Sequence, residues 1–243
     1  MAGFKTHISV SGMIGIGYGA AGLLLWEMQP ATCVLAGGLC CVSGMLPDLD
    51  SDSGIPLRES LSLGAAVVPM MMIERFSHLG LSVESMVLAG AAVYLLIRFG
   101  FGKFLKKYTV HRGMFHSIPA AMIAGLIAFL ICDCYEMTPR LYKAAAVTVG
   151  FMSHLILDEL WSIECYRGRM RFKSSFGTAL KIYSPKDFWA NLSTYAKLVL
   201  LTYIAMNDPR WMSNMNHHLE AAHTHMPVAT QPAPELQPSP YWR

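Results

Sequence analysis

Charge is what this sequence has least of. Asp, Glu, Lys and Arg together make up 14% of its 243 residues, where a soluble globular domain carries roughly 25%. Between residues 8 and 47 the only formally charged side chain is Glu27. A stretch so poor in charge is hard to place in water and easy to place in lipid. Also missing is any Cys-x-x-Cys pair, and Cys33, Cys40, Cys41, Cys132, Cys134 and Cys165 show no zinc-ribbon spacing. They read as small buried hydrophobes, and that reading is preferred to a redox pair of Cys132 and Cys134 at a helix end. No Ala-x-Ala cleavage site follows the apolar stretch 8–26, which exceeds the ~7–15 residues of a secretory signal core. That stretch is expected to remain as a membrane helix. The net charge of +3 makes no case for a nucleic-acid partner.

What is present is apolar. Hydrophobic residues reach 53% and the mean hydropathy is +0.38. Apolar segments at 8–26, 31–46, 61–73, 85–101, 117–132, 144–158 and 188–206 alternate with short polar turns. A straight membrane span takes about 20 residues, so several of these are short by that standard. The expected fold is all-α, a multi-pass transmembrane bundle of six to seven apolar segments arranged as hairpins. It fills a domain at 1–206, and a disordered tail is expected at 207–243. Gly12, Gly15, Gly19 and Gly22 fall on one face of the first helix, and Gly37, Gly38, Cys41 and Gly44 repeat the style on the second. Small residues let membrane helices approach closely, so these two should pack as a hairpin about Gln29–Pro30. Pro69 should kink or break the third segment. In the tail, Pro227, Pro232, Pro234, Pro238 and Pro240 oppose order. His217, His218, His223 and His225 there could scavenge metal, although an incidental His-rich tail is the simpler reading.

A few ionisable groups sit where lipid makes them costly, and such groups point to function. His7 precedes the first helix, and Asp48 and Asp50 follow the second, which returns to the starting side. Two further helices go out and back. His111 and His116 then precede the fifth helix, and the sixth returns with His154 and Asp158 near its end. Every candidate is thus expected at one membrane face. His154 and Asp158, four apart, share a helical face. Asp48-Leu-Asp50 follows Pro47 in a turn, and Gly113 gives His111 and His116 a turn of their own. Imidazoles with carboxylates suit one or two divalent ions, zinc first, with manganese or iron as alternatives. Such an ion lowers the pKa of bound water toward ~7. Arg112 is placed to clamp a phosphate oxygen, and Asp50 or Asp158 could act as general base.

Four ordered motifs then carry a resemblance: Thr6-His7 before the glycine-rich helix, Gly44-Met-Leu-Pro-Asp-Leu-Asp50, His111-Arg-Gly-Met-Phe-His-Ser117 and Ser153-His-Leu-Ile-Leu-Asp158. With Phe176-Gly-Thr-Ala-Leu-Lys181, they make residues 5–185 resemble the YdjM-like membrane proteins. These are described as LexA-binding, inner-membrane-associated hydrolases. The resemblance implies metal-binding roles for His7, Asp48, Asp50, His111, His116, His154 and Asp158, and suggests phospholipase action. One position departs from the pattern. The family commonly has Thr where this chain has Phe115, which puts a hydrogen bond behind the ligands in doubt.

The hairpin order also sorts the basic residues. Lys5, Arg58, Lys103, Lys106, Lys107, Arg112, Arg167, Arg169, Arg171, Lys173, Lys181 and Lys186 fall on the ligand side. Arg75, Arg140 and Lys143 fall opposite, joined by Arg210 and Arg243 if the last segment spans. The excess is expected to place the ligand face in the cytoplasm, and the resemblance implies the inner membrane. Arg167-Gly-Arg-Met-Arg-Phe-Lys173 reads as an extended basic strip that either holds anionic headgroups or only sets topology. Membrane lipid and a phosphoester substrate are the expected partners. The leading expectation is therefore a membrane-bound metal-dependent hydrolase of phosphoesters. A divalent-metal transporter or sensor, and a purely structural membrane protein, use the same residues without chemistry.

Overall fold

The computed structural model describes residues 3–50, 55–101, 114–134, 136–166, 169–172, 177, 179–185 and 187–224. Glycines make its tightest seam. Helix α1 (Phe4–Leu25) and helix α2 (Pro30–Ser43) run as a hairpin. A methyl group at Gly15 would overlap the Gly37 carbonyl, and one at Gly19 would stand 2.8 Å from that of Cys33. The backbones touch because these side chains are absent. Gly38 lies off the seam, with nothing within 4 Å of the Cβ it lacks.

Helix α7 (Met137–Trp161) is the axis of the bundle. Arg140, Ala144, Val147, Phe151, His154 and Asp158 recur at steps of three and four and are all buried. A second buried face follows the same period through Ala146, Gly150, Ser153 and Leu157. A helix buried on two sides needs neighbours on two sides. One is α2, whose Cys33, Ala36 and Cys40 pack with Ala146. The other is α6 (Ile118–Ile131), whose Ala120 and Ala121 meet Phe151 and Leu155. Helices α3 (Ile55–Met71) and α5 (Val83–Leu95) pair beside them, with the short α4 (Ile73–His78) between. Pro69 lies inside α3, which ends two residues later at Met71. A π-helical turn at Leu96–Phe101 continues α5.

Helix α8 (Phe188–Met206) runs the length of the bundle. Just ahead of it, the Lys181 carbonyl accepts from the Ile118 amide at the start of α6 (3.1 Å). Just after it, Asp208 meets Arg140 near the start of α7. The outward faces are apolar: Met13, Ile16 and Leu24 on α1, Val83 and Leu88 on α5, and Val199 and Tyr203 on α8 are all more than 60% exposed. A water-soluble surface does not carry so much apolar area, whereas a lipid-facing one does. Three stretches are long and apolar enough to cross a membrane: Phe4–Leu25, Pro30–Asp48 and Val83–Gly100. Helix α6, at 14 residues, is apolar but short. Helices α7 and α8 have the length, at 25 and 19 residues, but not the composition.

The fold is helical, as expected, with one short addition: Ile163–Tyr166 and Arg169–Phe172 pair antiparallel, Ile163 opposite Phe172 and Tyr166 opposite Arg169. Arg167 and Lys173 of the basic strip lie outside the described residues. The expected disorder does not begin at 207, because Pro209–Thr224 forms helix α9. The five prolines that argued for disorder all lie beyond it. Its own Pro209 occupies the first position, where a missing N–H costs nothing. His217, His218 and His223 belong to α9, and His225 lies outside the described residues.

Candidate metal centre

Four separate segments deliver side chains to one place. His7 stands in the first turn of α1, where its amide donates to the Gly3 carbonyl (3.1 Å). Helix α2 gives out ahead of Pro47, which has no amide to donate, and the 3-10 turn Leu46–Asp50 presents Asp48. His116 precedes α6, whose N-terminus is capped by Ser117 accepting from the Ala120 amide (3.3 Å). That cap turns the chain and sets His116 against the bundle. His154 and Asp158 project from one face of α7.

The distances are those of a coordination shell. His7 Nε2 lies 3.3 Å from Asp158 Oδ1, and His154 Nε2 lies 3.6 Å from Asp158 Oδ2. On its other side His154 Nε2 is 3.6 Å from Asp48 Oδ1, which is also 3.7 Å from His116 Nε2. Tetrahedral donors on bonds of ~2.0–2.2 Å stand about 3.3–3.6 Å apart. Two overlapping groups result, His7–His154–Asp158 and Asp48–His116–His154, each able to hold a metal ion with its donor atoms within 4.8 Å of one another. His7, His116, His154 and Asp158 are buried, and Asp48 is partly open to solvent.

The tautomer of His154 decides how the cluster reads. Its Nδ1 is 2.8 Å from the Gly44 carbonyl, an acceptor that requires a proton on that nitrogen. In neutral imidazole Nε2 then carries a lone pair. That nitrogen is buried without a hydrogen-bond partner, between carboxylate oxygens of Asp48 and Asp158. A lone pair facing two anions is repulsive unless a cation sits among them. Two carboxylates and three neutral imidazoles carry −2, which a divalent ion cancels. Protonating His7 and His154 together would instead stack two cations, because their rings lie 3.7 Å apart and nearly parallel. The donor set and its orphaned nitrogen therefore fit a divalent metal. One lone pair serves one ion, so the two groups are not independent sites.

A family model described as YdjM inner membrane protein matches residues 1–205. The chain belongs to that family. No match is found among curated proteins or among solved structures. The matched span contains every residue of the cluster and stops just short of α9. This family membership and the apolar outer helices place the protein in the inner membrane.

Of the seven residues expected to bind metal in this YdjM-family protein, His7, Asp48, His116, His154 and Asp158 come together. Asp50 closes the 3-10 turn, but its side chain lies outside the described residues, as do His111 and Arg112. Phe115, the departure from the family pattern, packs against Leu61, as do Leu46 and Ile97. It trades a hydroxyl for apolar packing between α3 and the metal-bearing turn. Sequence reasoning overlooked Gly44 as the residue that orients His154. Its only signal is that a side chain there would overlap Ser11, whose hydroxyl donates to the Cys41 carbonyl (3.0 Å). It also overlooked Glu159, which accepts from the Gly177 and Ala179 amides and holds the segment after the hairpin beside α7.

Proposed function

We propose that this protein is a multi-pass inner-membrane hydrolase that uses one or two divalent ions, zinc in the first instance and manganese or iron as alternatives, to cleave phosphoesters, phospholipids among them. The convergence of five ligand-type side chains from four segments carries this reading, with the His154 lone pair directed between two carboxylates. Asp48, His116, His154 and Asp158 would hold one ion, and His7 with the other oxygen of Asp158 would complete that shell or hold a second. When bound, such an ion supplies Lewis acidity, polarising a phosphoryl oxygen and acidifying water.

The remaining roles fall to the protein's own groups. Both oxygens of Asp158 are turned to imidazoles, so Asp158 is assigned to ligation and Asp50 to proton transfer. Arg112 and His111, four and five residues before His116, would bring a phosphate-binding guanidinium and a further imidazole to the rim. Among the described ligands Asp48 is the most exposed, so substrate would approach from its side. The excess of basic residues that the hairpin order assigns to this side supports an opening toward the cytoplasm, beside anionic headgroups. Ligands at helix ends favour a surface hydrolase over a transporter, whose sites lie near the bilayer midplane.

The test is hydrolysis by detergent-purified protein loaded with zinc or manganese, offered phosphatidylglycerol and a chromogenic phosphodiester. Turnover that disappears in Asp48→Ala and His154→Ala is the expected result. Absence of hydrolysis with every metal and both substrates would overturn the enzymatic reading.

A further inference from the structure

The far end of the bundle carries a device of a different kind. Asp208, between α8 and α9, makes three sets of contacts, one of them an ion pair with Arg75 of α4 at 3.9 Å. Its carboxylate takes both terminal nitrogens of Arg140, at 2.9 and 2.7 Å. Its Oδ1 also accepts from the amides of Arg210 and Trp211, at 3.1 and 3.4 Å, and so caps α9. A capping residue that is also locked to the bundle fixes the direction in which its helix leaves.

That direction is marked by Trp211. Its ring packs edge-on against Phe129 of α6, at 6.2 Å between centroids, in a cluster with Ala144 and Ala205. The tryptophan face of α9 is therefore turned toward the bundle. At 100° per residue, Met212, Met215, Leu219 and Ala222 fall with Trp211 in one arc of about 100°. Ser213, His217 and Thr224 lie on the opposite side. Among the described side chains of the stripe, Met212 and Met215 are uncovered, 50% and 46% exposed. It continues the bare apolar surface of α8, where Tyr203 and Met206 are 66% and 59% exposed.

We infer that α9 lies in the plane of the membrane surface opposite the His/Asp cluster, its methionine stripe resting on the acyl chains of the bilayer. The occupant is lipid because the stripe runs on from the lipid-facing side of α8 and points the same way as a tryptophan seated on the bundle's end. An amphipathic helix with a polar outer face and an apolar inner one is the form such in-plane anchors take. The consequence for topology is that residues after 208 sit across the membrane from the cluster, and α8 crosses to take them there. The inference stands apart from the hydrolase reading and concerns residues beyond the family match.

The experiment uses the full chain reconstituted in phosphatidylcholine/phosphatidylglycerol vesicles. Nitroxide spin labels are placed at Met215→Cys, Met212→Cys or Ser213→Cys, with the unsubstituted chain labelled in parallel to subtract native cysteines. Power saturation with oxygen and with a water-soluble nickel chelate reads depth. Labels at 212 and 215 are expected ~5–10 Å below the headgroup boundary, shielded from nickel, and the label at 213 open to it. Equal nickel access at 213 and 215 would overturn the inference. So would dipolar broadening between labels at 215 that vanishes on dilution with unlabelled protein, the mark of a second copy covering the stripe. All three positions are exposed, so the fold should tolerate the changes, and circular dichroism of each variant checks this.

Discussion

Replacing Asp208 by Asn removes the counter-charge from a guanidinium that has no water to turn to. Arg140 is fully buried, donates through Nε to the Phe129 carbonyl at 2.9 Å, and lies 3.9 Å over the Phe129 ring. Those contacts survive the substitution, but the two charge-assisted bonds to Asp208 do not. Removing one member of a buried pair costs about 3–5 kcal/mol. Asn keeps one acceptor oxygen, so Asp208→Asn is expected to destabilise by about 2–3 kcal/mol. Asp208→Ala also loses the α9 cap and should cost about 1 kcal/mol more. Replacing both partners by apolar residues, Arg140→Met with Asp208→Leu, should recover part of the loss, because the α9 cap and the Arg75 ion pair go with Asp208. The assay is unfolding in detergent, followed by circular dichroism against urea or SDS. Acidification gives an independent check. The Arg140 hydrogen bonds hold the Asp208 carboxyl below the usual carboxylate range, against the opposing effect of burial. A depressed folded pKa stabilises fully above the unfolded value of ~3.9 and is lost as pH falls through the folded one. The gap between wild type and Asp208→Asn should therefore be constant at neutral pH and close below about pH 4. An Asp208→Asn protein within 0.5 kcal/mol of wild type at pH 7 would refute the reasoning.

Three further outcomes follow from packing and ligation. Gly150→Ala drives a methyl group into the Cys40 carbonyl and the Ser43 hydroxyl, so α7 must move away from α2. The expected cost is about 1–3 kcal/mol, with weaker zinc binding because His154 rides on α7 and Asp48 on the turn that follows α2; unchanged zinc affinity by competition with a chelating dye would contradict it. Phe115→Thr restores the family's hydroxyl but empties a contact with Leu61, and should lower stability by about 2 kcal/mol in the same urea titration. Gly44→Val should push against Ser11, displace the carbonyl that orients His154, and reduce zinc affinity at least tenfold; isothermal titration checks it.

Much of this was legible in the residues, and the reasons are specific. Hairpin counting brought His7, Asp48, His116, His154 and Asp158 to one end because each helix reverses the chain, and a side chain's end follows from parity alone. The Gly15–Gly37 seam was legible because small residues at three- and four-residue spacing have few other uses. Gly38 was wrongly included, because a period of 3.6 cannot tell adjacent glycines apart without a partner helix in view. The segment at 144–158 was drawn too short: Arg140 and Tyr142 read as polar breaks but are buried by partners distant in sequence, Asp208 for one and Tyr18 for the other. Helix α9 was hidden by the prolines after it, although Asp208, Pro209 and the Trp211–Met215–Leu219 spacing form a legible start and stripe. The 163–172 hairpin was half visible, with alternation noticed in one strand and its partner at 163–166 unseen.

The claim beneath everything is that five side chains share a cation. Metal content per chain, by elemental analysis of purified protein dialysed without chelator, tests it most directly in wild type beside His154→Ala and Asp158→Ala. The account predicts about one to two ions per wild-type chain and fewer than about 0.2 in either variant, given the retention expected of buried His/carboxylate sites. A folded wild-type protein that retains no zinc, manganese or iron, or variants that keep the full wild-type content, would contradict it.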